Sequence, residues 1–300
     1  MQTEPASQKS AGLGAANLAL LVVLALGWGA NWPILKIGIT EVSPWVFRSL
    51  TFLPSGMLLL ALARLNGHPL AVPRPFWPPL LVASTLNITL WGMLVLYGLS
   101  FMTGGRAAIL AFTMPVWASL FYALLVKKLP SRQVVYALIA GTTGVLLLWL
   151  GDPETQARNA WGPLLVIVGG AMWGAGSAYV KHTGFPVPTL VLTGWMQLLG
   201  TIPVALIALL WDWQNIGTPG WPQYFSLFYN IVVAGAIMYW IYFTLLKRLT
   251  VAMSTITMLA VPVVAVISDA FWLWKFPLWI DLGALGLIGV AVALALNKPA

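Results

Sequence analysis

Long runs of apolar residues recur along the chain, separated by short stretches that are charged, Pro-rich or Gly-rich. Marking the runs between those breaks gives spans at roughly 17–35, 44–64, 76–97, 104–126, 131–150, 161–181, 188–210, 222–246, 252–274 and 278–296. Each is about 20 residues long, and at a rise of ~1.5 Å per residue a helix of that length crosses the ~30 Å hydrocarbon core of a bilayer. The runs do not alternate with the ~10-residue period-two pattern of a membrane β-barrel. The pattern therefore predicts an all-α integral membrane protein with ten transmembrane helices. The stretch before the first run, "MQTEPASQKSAGLGAA", is small and polar and carries no A-x-A cleavage site, so the first run is expected to be retained as a helix.

Composition agrees with that class. The chain is 60% hydrophobic and 7% charged, with a mean hydropathy of +0.89, far outside the range of soluble domains. It has no Cys, which removes disulfides, thiolate catalysis and thiolate metal sites. The net charge of +8 comes from bases dispersed over loop ends, not gathered in one patch, so membrane lipid and not nucleic acid is the expected surface partner. Assigning alternate faces to the spans puts Lys9, Arg64, Arg74, Lys127, Lys128, Arg132, Lys181, Lys247, Arg248 and Lys298 on one side. Lys36, Arg48, Arg106, Arg158 and Lys275 fall on the other, a division of ten to five. Because Lys and Arg accumulate in cytoplasmic loops, both termini are expected in the cytoplasm of a cell inner (plasma) membrane protein.

Internal repetition organises the spans. "WGANWPILK" at 28–36 returns as "WGAGSAYVK" at 173–181, with a Lys eight residues after the Trp in both copies. Pro44 and Pro188 each open a span, "WPP" at 77–79 resembles "WPQ" at 221–223, and Pro115 matches Pro262. A Lys-x-Pro follows each of that last pair at the same distance, Lys128 to Pro130 and Lys275 to Pro277. The chain thus divides into an N-terminal half, 1–155, and a C-terminal half, 156–300, of five helices each. Since five is odd, the second half enters the membrane from the opposite face, which makes the pair inverted repeats about an axis in the membrane plane.

These motifs, with "TMPVWASLFYALLVKKLPSRQVVYALIAGTTG" and its partner "AVPVVAVISDAFWLWKFPLWIDLGALGLIG", resemble the EamA repeat of the drug/metabolite transporter (DMT) superfamily over nearly the whole chain. The Trp-rich helices and basic loops are most similar to the YddG-type aromatic amino-acid exporters. One departure is visible. The EamA repeat commonly places a Gly-Glu thirteen residues after the Pro, where this chain has Lys128 and Lys275, so no role of that acid carries over.

Ionisable groups are nearly absent from the spans; Arg48, His182 and Asp269 lie inside or close to them, each within about two turns of an end. Asp269 and His182 are the candidates for ion coupling, the alternatives being an interfacial acid with a neighbouring partner and a headgroup-level histidine. Trp usually prefers the interface, but Trp28, Trp91, Trp173 and Trp195 fall towards the middle of their spans. Trp28 and Asn31, Asn87 and Trp91, and Trp173 and Ser177 are spaced i,i+3 or i,i+4, so each pair shares a helix face and offers an aromatic plate beside a small polar group. Such faces suit a solute with an apolar side chain and a polar end. With Tyr239, these residues form the candidate substrate site; packing between helices is the alternative for each. Pro115 and Pro262 free a backbone carbonyl within a helix and are hinge candidates, with a static kink as the alternative.

The two His have no obvious carboxylate partner, and no Gly-rich phosphate loop appears, so the sequence gives no catalytic constellation, metal site or cofactor motif. The expected function is that of a secondary transporter exporting small neutral amino acids, aromatic ones included, by alternating access. The alternatives are another metabolite or a lipophilic drug as substrate and, from other classes, a membrane-embedded enzyme or a structural bundle. The charge division makes a direct prediction. Cysteines introduced near Lys9 and near Lys298 will resist an impermeant maleimide in intact cells, and one in the 152–158 loop will react; labelling of either terminus would reverse the orientation.

Overall fold

The computed structural model describes residues 15–127, 132–150, 161–214, 216–249, 260–274 and 276–296. Those residues are helical almost throughout. Seven helices are long and apolar enough to cross a membrane: α1 (Ala15–Gly38), α2 (Pro44–Leu65), α3 (Arg74–Ser100), α4 (Gly104–Leu125), α6 (Trp161–Thr183), α7 (Thr189–Asp212) and α8 (Trp221–Arg248). Between and after them lie α5 (Arg132–Leu150), α9 (Ala260–Leu273) and α10 (Trp279–Leu296). Large apolar side chains face outwards, among them Leu65, Leu209, Trp211, Phe271 and Trp279, as expected where lipid and not water surrounds the bundle.

Helix boundaries follow local chemistry. Ser43 caps α2 by accepting a hydrogen bond from Val46 N–H, with Pro44 at the first helical position. Thr103 caps α4 in the same way through Arg106 N–H. The fourth helix is not continuous. It breaks at Phe112 and Thr113, and Pro115 occupies the first turn of the segment Met114–Leu125, so this proline starts a helical segment instead of kinking the middle of one. Pro262 is buried near the start of the described part of α9; the residues before 260, and the Lys-x-Pro lysines 128 and 275, lie outside the described residues. Three of the described helices widen into π-helical turns, α3 at Thr85–Leu90, α7 at Ala208–Asp212 and α8 at Tyr229–Met238. Such turns re-aim carbonyls away from the regular ladder, and in α8 Ala234 and Gly235 accept side-chain donors from α1 and α7.

Helix pairing is specific. α2 lies along α7 and α5 along α10; α1 packs on α9, α4 on α6, α3 on α6 and α1 on α8. The connections sort into two ends. At one, the α1–α2 turn meets the α7–α8 connection: Gly217 N–H donates to Glu41 O at 2.8 Å, Ser43 donates to Asp212, and Gln223 Nε2 donates to Thr40 Oγ1 at 2.9 Å. At the other, the α2–α3 connection meets the α6–α7 connection: Trp195 Nε1 donates to Leu70 O at 2.9 Å, and Phe76 packs on Phe185. Trp195, expected towards mid-depth, is therefore anchored to a connecting segment.

Each copy of the duplicated stretch makes the same two kinds of contact, one from its glycine and one from its lysine. Gly29 brings α1 against α9, where an added Cβ would stand 2.4 Å from Val264 Cβ and 3.0 Å from Val261 O. Gly174 brings α6 against α4, where it would stand 2.7 Å from Ala118 N and 2.8 Å from Met114 O. The lysines reach the carbonyl ends of α3 and α8. Lys36 Nζ donates to Leu99 O (2.7 Å) and Ser100 O (2.9 Å) of α3. Lys181 Nζ donates to Leu246 O (2.8 Å), Lys247 O and Leu249 O at the end of α8. A cation there satisfies carbonyls that a helix end leaves unpaired and opposes its negative dipole end.

The backbone contact at Gly174 cannot move aside as a side chain would. Gly174→Ala is expected to cost about 1–3 kcal/mol by overpacking. Gly286→Ala, whose Cβ meets nothing within 4 Å among the described residues, is expected to be neutral or to stabilise by up to about 1 kcal/mol through helix propensity. Thermal unfolding of the two purified variants checks this; equal melting temperatures would show that α4 and α6 do not pack this closely.

Candidate functional site

A cavity opens among α1, α2, α3, α4, α6 and α8, in the part of the bundle nearer the α1–α2 turn. Its walls are Trp28, Asn31, Trp32 and Leu35 of α1, Arg48 and Phe52 of α2, and Trp91 and Val95 of α3. Phe112 and Met114 at the break in α4, Trp173 of α6, and Asn230, Ala234 and Tyr239 of α8 complete them. Its non-atom space, open side included, is about 570 Å³, an upper bound that admits only a small solute.

The aromatic walls hold one another edge to face. Trp28 meets Trp173 at 5.7 Å and Tyr239 at 5.6 Å between ring centroids, with interplanar angles of 81° and 86°. Trp173 also meets Trp91 at 5.2 Å and Tyr242 at 5.1 Å. These offsets match the quadrupole preference of aromatic pairs. The indole N–H groups are satisfied, as buried donors must be: Trp28 Nε1 donates to Ala234 O at 3.2 Å, and Trp173 Nε1 to Tyr242 Oη at 3.2 Å. Tyr242 in turn donates to Ser177 Oγ at 2.8 Å. On the side of the cavity away from the α1–α2 turn, Trp173, Tyr242, Phe243 and Ser177 thus form a packed, hydrogen-bonded floor.

Five of the residues singled out in sequence, Trp28, Asn31, Trp91, Trp173 and Tyr239, line this one cavity. Asn87 and Ser177 stand behind it. Asn87 is fully buried and donates through Nδ2 to Trp173 O at 3.1 Å, tying α3 to α6 beneath the Trp173 ring. Ser177 holds the Tyr242 hydroxyl. Asn31 Oδ1 is buried without a hydrogen-bond partner, a cost to folding unless another donor is supplied there. Asn230, which sequence reasoning passed over, lines the cavity from the π-helical part of α8 and donates to Ser226 O at 3.0 Å.

Arg48, counted with the loop-end bases in the charge division and also named as an ionisable group inside or close to a span, is buried one turn into α2, 4% exposed and on the cavity wall, because α2 turns this position towards α3 and not towards the connection. Its presence among apolar residues was the available signal. Asp269 is also buried, with no place on the cavity wall: it accepts from Gly105 N–H at the start of α4, where the helix dipole favours an anion. Beside it Arg106 and Asp281 form a 2.8 Å ion pair between α4 and α10. His182 is exposed in the last turn of α6. Among the described residues, no group of His, Asp and Glu could hold a metal ion.

Comparison with known proteins agrees with this architecture. A family model described as the EamA-like transporter family matches the chain twice, over residues 16–150 and 160–297. The uncharacterized transporter YvbV of Bacillus subtilis is 26% identical over 92% of this chain and 90% of its own. The uncharacterized inner membrane transporter YedA of Escherichia coli K12 is 28% identical over 91% and 88%. A solved crystal structure shares the fold with a TM-score of 0.68 over 93% of this chain and 96% of that one, at 21% identity. With seven apolar spans and two family matches that together cover nearly every residue, this multi-pass membrane protein belongs to the EamA-like transporter family.

Proposed function

We propose that this protein is a secondary transporter that exports small neutral amino acids, aromatic ones included, across a cell inner membrane by alternating access, with both termini cytoplasmic and ten spans in two inverted halves. The observation that carries the substrate class is the cavity itself: four Trp and a Tyr converge there from α1, α3, α6 and α8 with an unpartnered amide oxygen on Asn31. Indole and phenyl side chains fit aromatic edges, and Asn31 and Asn230 suit the polar end of the solute.

The helix pairing supports the inverted repeat. Exchanging each helix with the one five places along turns α1–α9 into α6–α4 and α3–α6 into α8–α1, and leaves α2–α7 and α5–α10 as they were. The same exchange carries the α1–α2 and α7–α8 connections at one end onto α6–α7 and α2–α3 at the other, as a twofold axis in the membrane plane requires. The double family match agrees. The cavity breaks that symmetry: Trp28 and Trp173 both hydrogen-bond α8, and neither bonds α3 through its indole. Space towards the α1–α2 turn and a sealed floor on the other side correspond to one of two states, and the mirrored state would open the floor. That floor faces the cytoplasm in the orientation the charge division favours.

Trp91 tests the solute contact better than Trp173, whose burial makes its removal costly to the fold. If a bound indole covers roughly 60 Å² of Trp91, at about 25 cal/mol per Å² the alanine variant loses about 1.5 kcal/mol, or roughly tenfold in apparent affinity. In proteoliposomes, Trp91→Ala is expected to lose tryptophan competition by about that factor and to keep alanine competition within about twofold; an unchanged ranking of tryptophan, methionine and alanine would rule out the aromatic site. Because Asp269 caps α4 and His182 is exposed, Asp269→Asn and His182→Ala are expected to retain solute counterflow. Loss of pH dependence in net transport by Asp269→Asn, with exchange intact, would instead assign coupling to that acid.

A further inference from the structure

We propose that Arg48 is the carboxylate-binding residue of the cavity, so that the solutes accepted there carry a carboxylate; this rests on the transporter reading above and narrows it. Arg48 lies one turn into α2, within a membrane-spanning segment, and lines the cavity. A buried guanidinium is costly in such a place unless an anion and hydrogen-bond acceptors meet it. What the protein provides falls short of that. Nη2 donates to Gly92 O at a long 3.3 Å, Nε is buried with no partner, and the guanidinium carbon sits 4.2 Å above the Phe52 ring.

None of the four described acids compensates it. Asp212 is bonded by Ser43, Asp269 by Gly105 and Asp281 by Arg106, while Glu41 lies in the α1–α2 turn with its carboxylate against Gly217, where an added Cβ would stand 2.4 Å from Glu41 Oε2. The surroundings are nevertheless shaped for the charge. A Cβ at position 92 would stand 3.0 Å from Arg48 Nε, so the glycine that follows Trp91 makes room for the guanidinium beside the aromatic wall. Phe52 fixes the plane of the guanidinium by cation–π contact. A planar fork with free donors, held on a cavity wall next to Trp91, is the arrangement that recognises a carboxylate in two-point fashion. The class excluded is as informative: a lipophilic cation would bring like charge to Arg48.

The test uses acid and amide pairs that differ only in the ionised group. The purified protein is melted with indole-3-propionate or its amide, and with hexanoate or hexanamide. Each acid is expected to raise the melting temperature by several degrees and each amide by less than one. In radiolabelled tryptophan binding, indole-3-propionate is expected to compete within tenfold of tryptophan, and tryptamine and tryptophan methyl ester at least tenfold more weakly. Arg48→Gln should abolish the acid–amide difference, with Arg48→Lys intermediate; because a substitution here can impair folding, the wild-type rankings stand as the independent measurement. Equal shifts for each acid and its amide would overturn the role of Arg48. Stabilisation by hexanoate over hexanamide without any effect of the indole compounds would leave that role standing and overturn the aromatic substrate class.

Discussion

The close crossings of α1 with α9 and of α6 with α4 are the constraint on which the remaining geometry depends. Each is possible because a glycine, Gly29 or Gly174, presents no side chain where the facing helix comes nearest. Without a hydrophobic force between helices in lipid, such small-residue contacts and buried hydrogen bonds are what hold a bundle together. Once the glycine face is turned to its partner, the 100° per residue of the helix decides the rest. The preceding tryptophan is directed to the neighbouring side, where the cavity lies. The lysine seven residues after the glycine returns to within about 20° of the glycine's own face, two turns along, and reaches the carbonyl end of α3 or α8.

The copies differ where the cavity differs. Asn31 in the first corresponds to Gly176 in the second, and the absence of a side chain at 176 is what admits Asn87: a Cβ there would lie 2.3 Å from Asn87 Oδ1. Similarly, Trp32 of the first copy corresponds to Ser177, which holds Tyr242 in the floor. Two substitutions inside a repeated motif thus separate a half that offers a polar group to the cavity from a half that packs against α3. The architecture is close to symmetric in its helix pairing while the chemistry of its centre is one-sided.

Polar groups in the interior fall into two kinds. Thr51, Ser84 and Thr201 return hydrogen bonds to their own helix, while Gln197 and Asn87 cross to a neighbour, and these are structural. Asn31 and Arg48 line the cavity with hydrogen-bonding capacity left over. Asn87 Oδ1 and Gln197 Oε1 are also buried without a partner, so what sets Asn31 and Arg48 apart is that their spare capacity lies on the cavity wall, where a solute can meet it.

The sequence by itself determined the helical membrane class and the family, since a backbone in lipid must satisfy its own hydrogen bonds and apolar runs of ~20 residues leave little else to form. It also brought Trp28, Asn31, Trp91, Trp173 and Tyr239 into view, because depth in a span and i,i+3 or i,i+4 spacing are readable along a single helix. Tertiary structure alone decided which of those faces meet. It turned Arg48 inwards, tied the Trp195 indole to a connecting segment, set Asn87 and Ser177 behind the aromatic wall, capped α4 with Asp269 and brought Asn230 to the cavity through a π-helical turn. Those outcomes depend on the rotation and depth of each helix against its neighbours, which are fixed by contacts between residues 44 to 164 positions apart and leave no periodic trace in any one span.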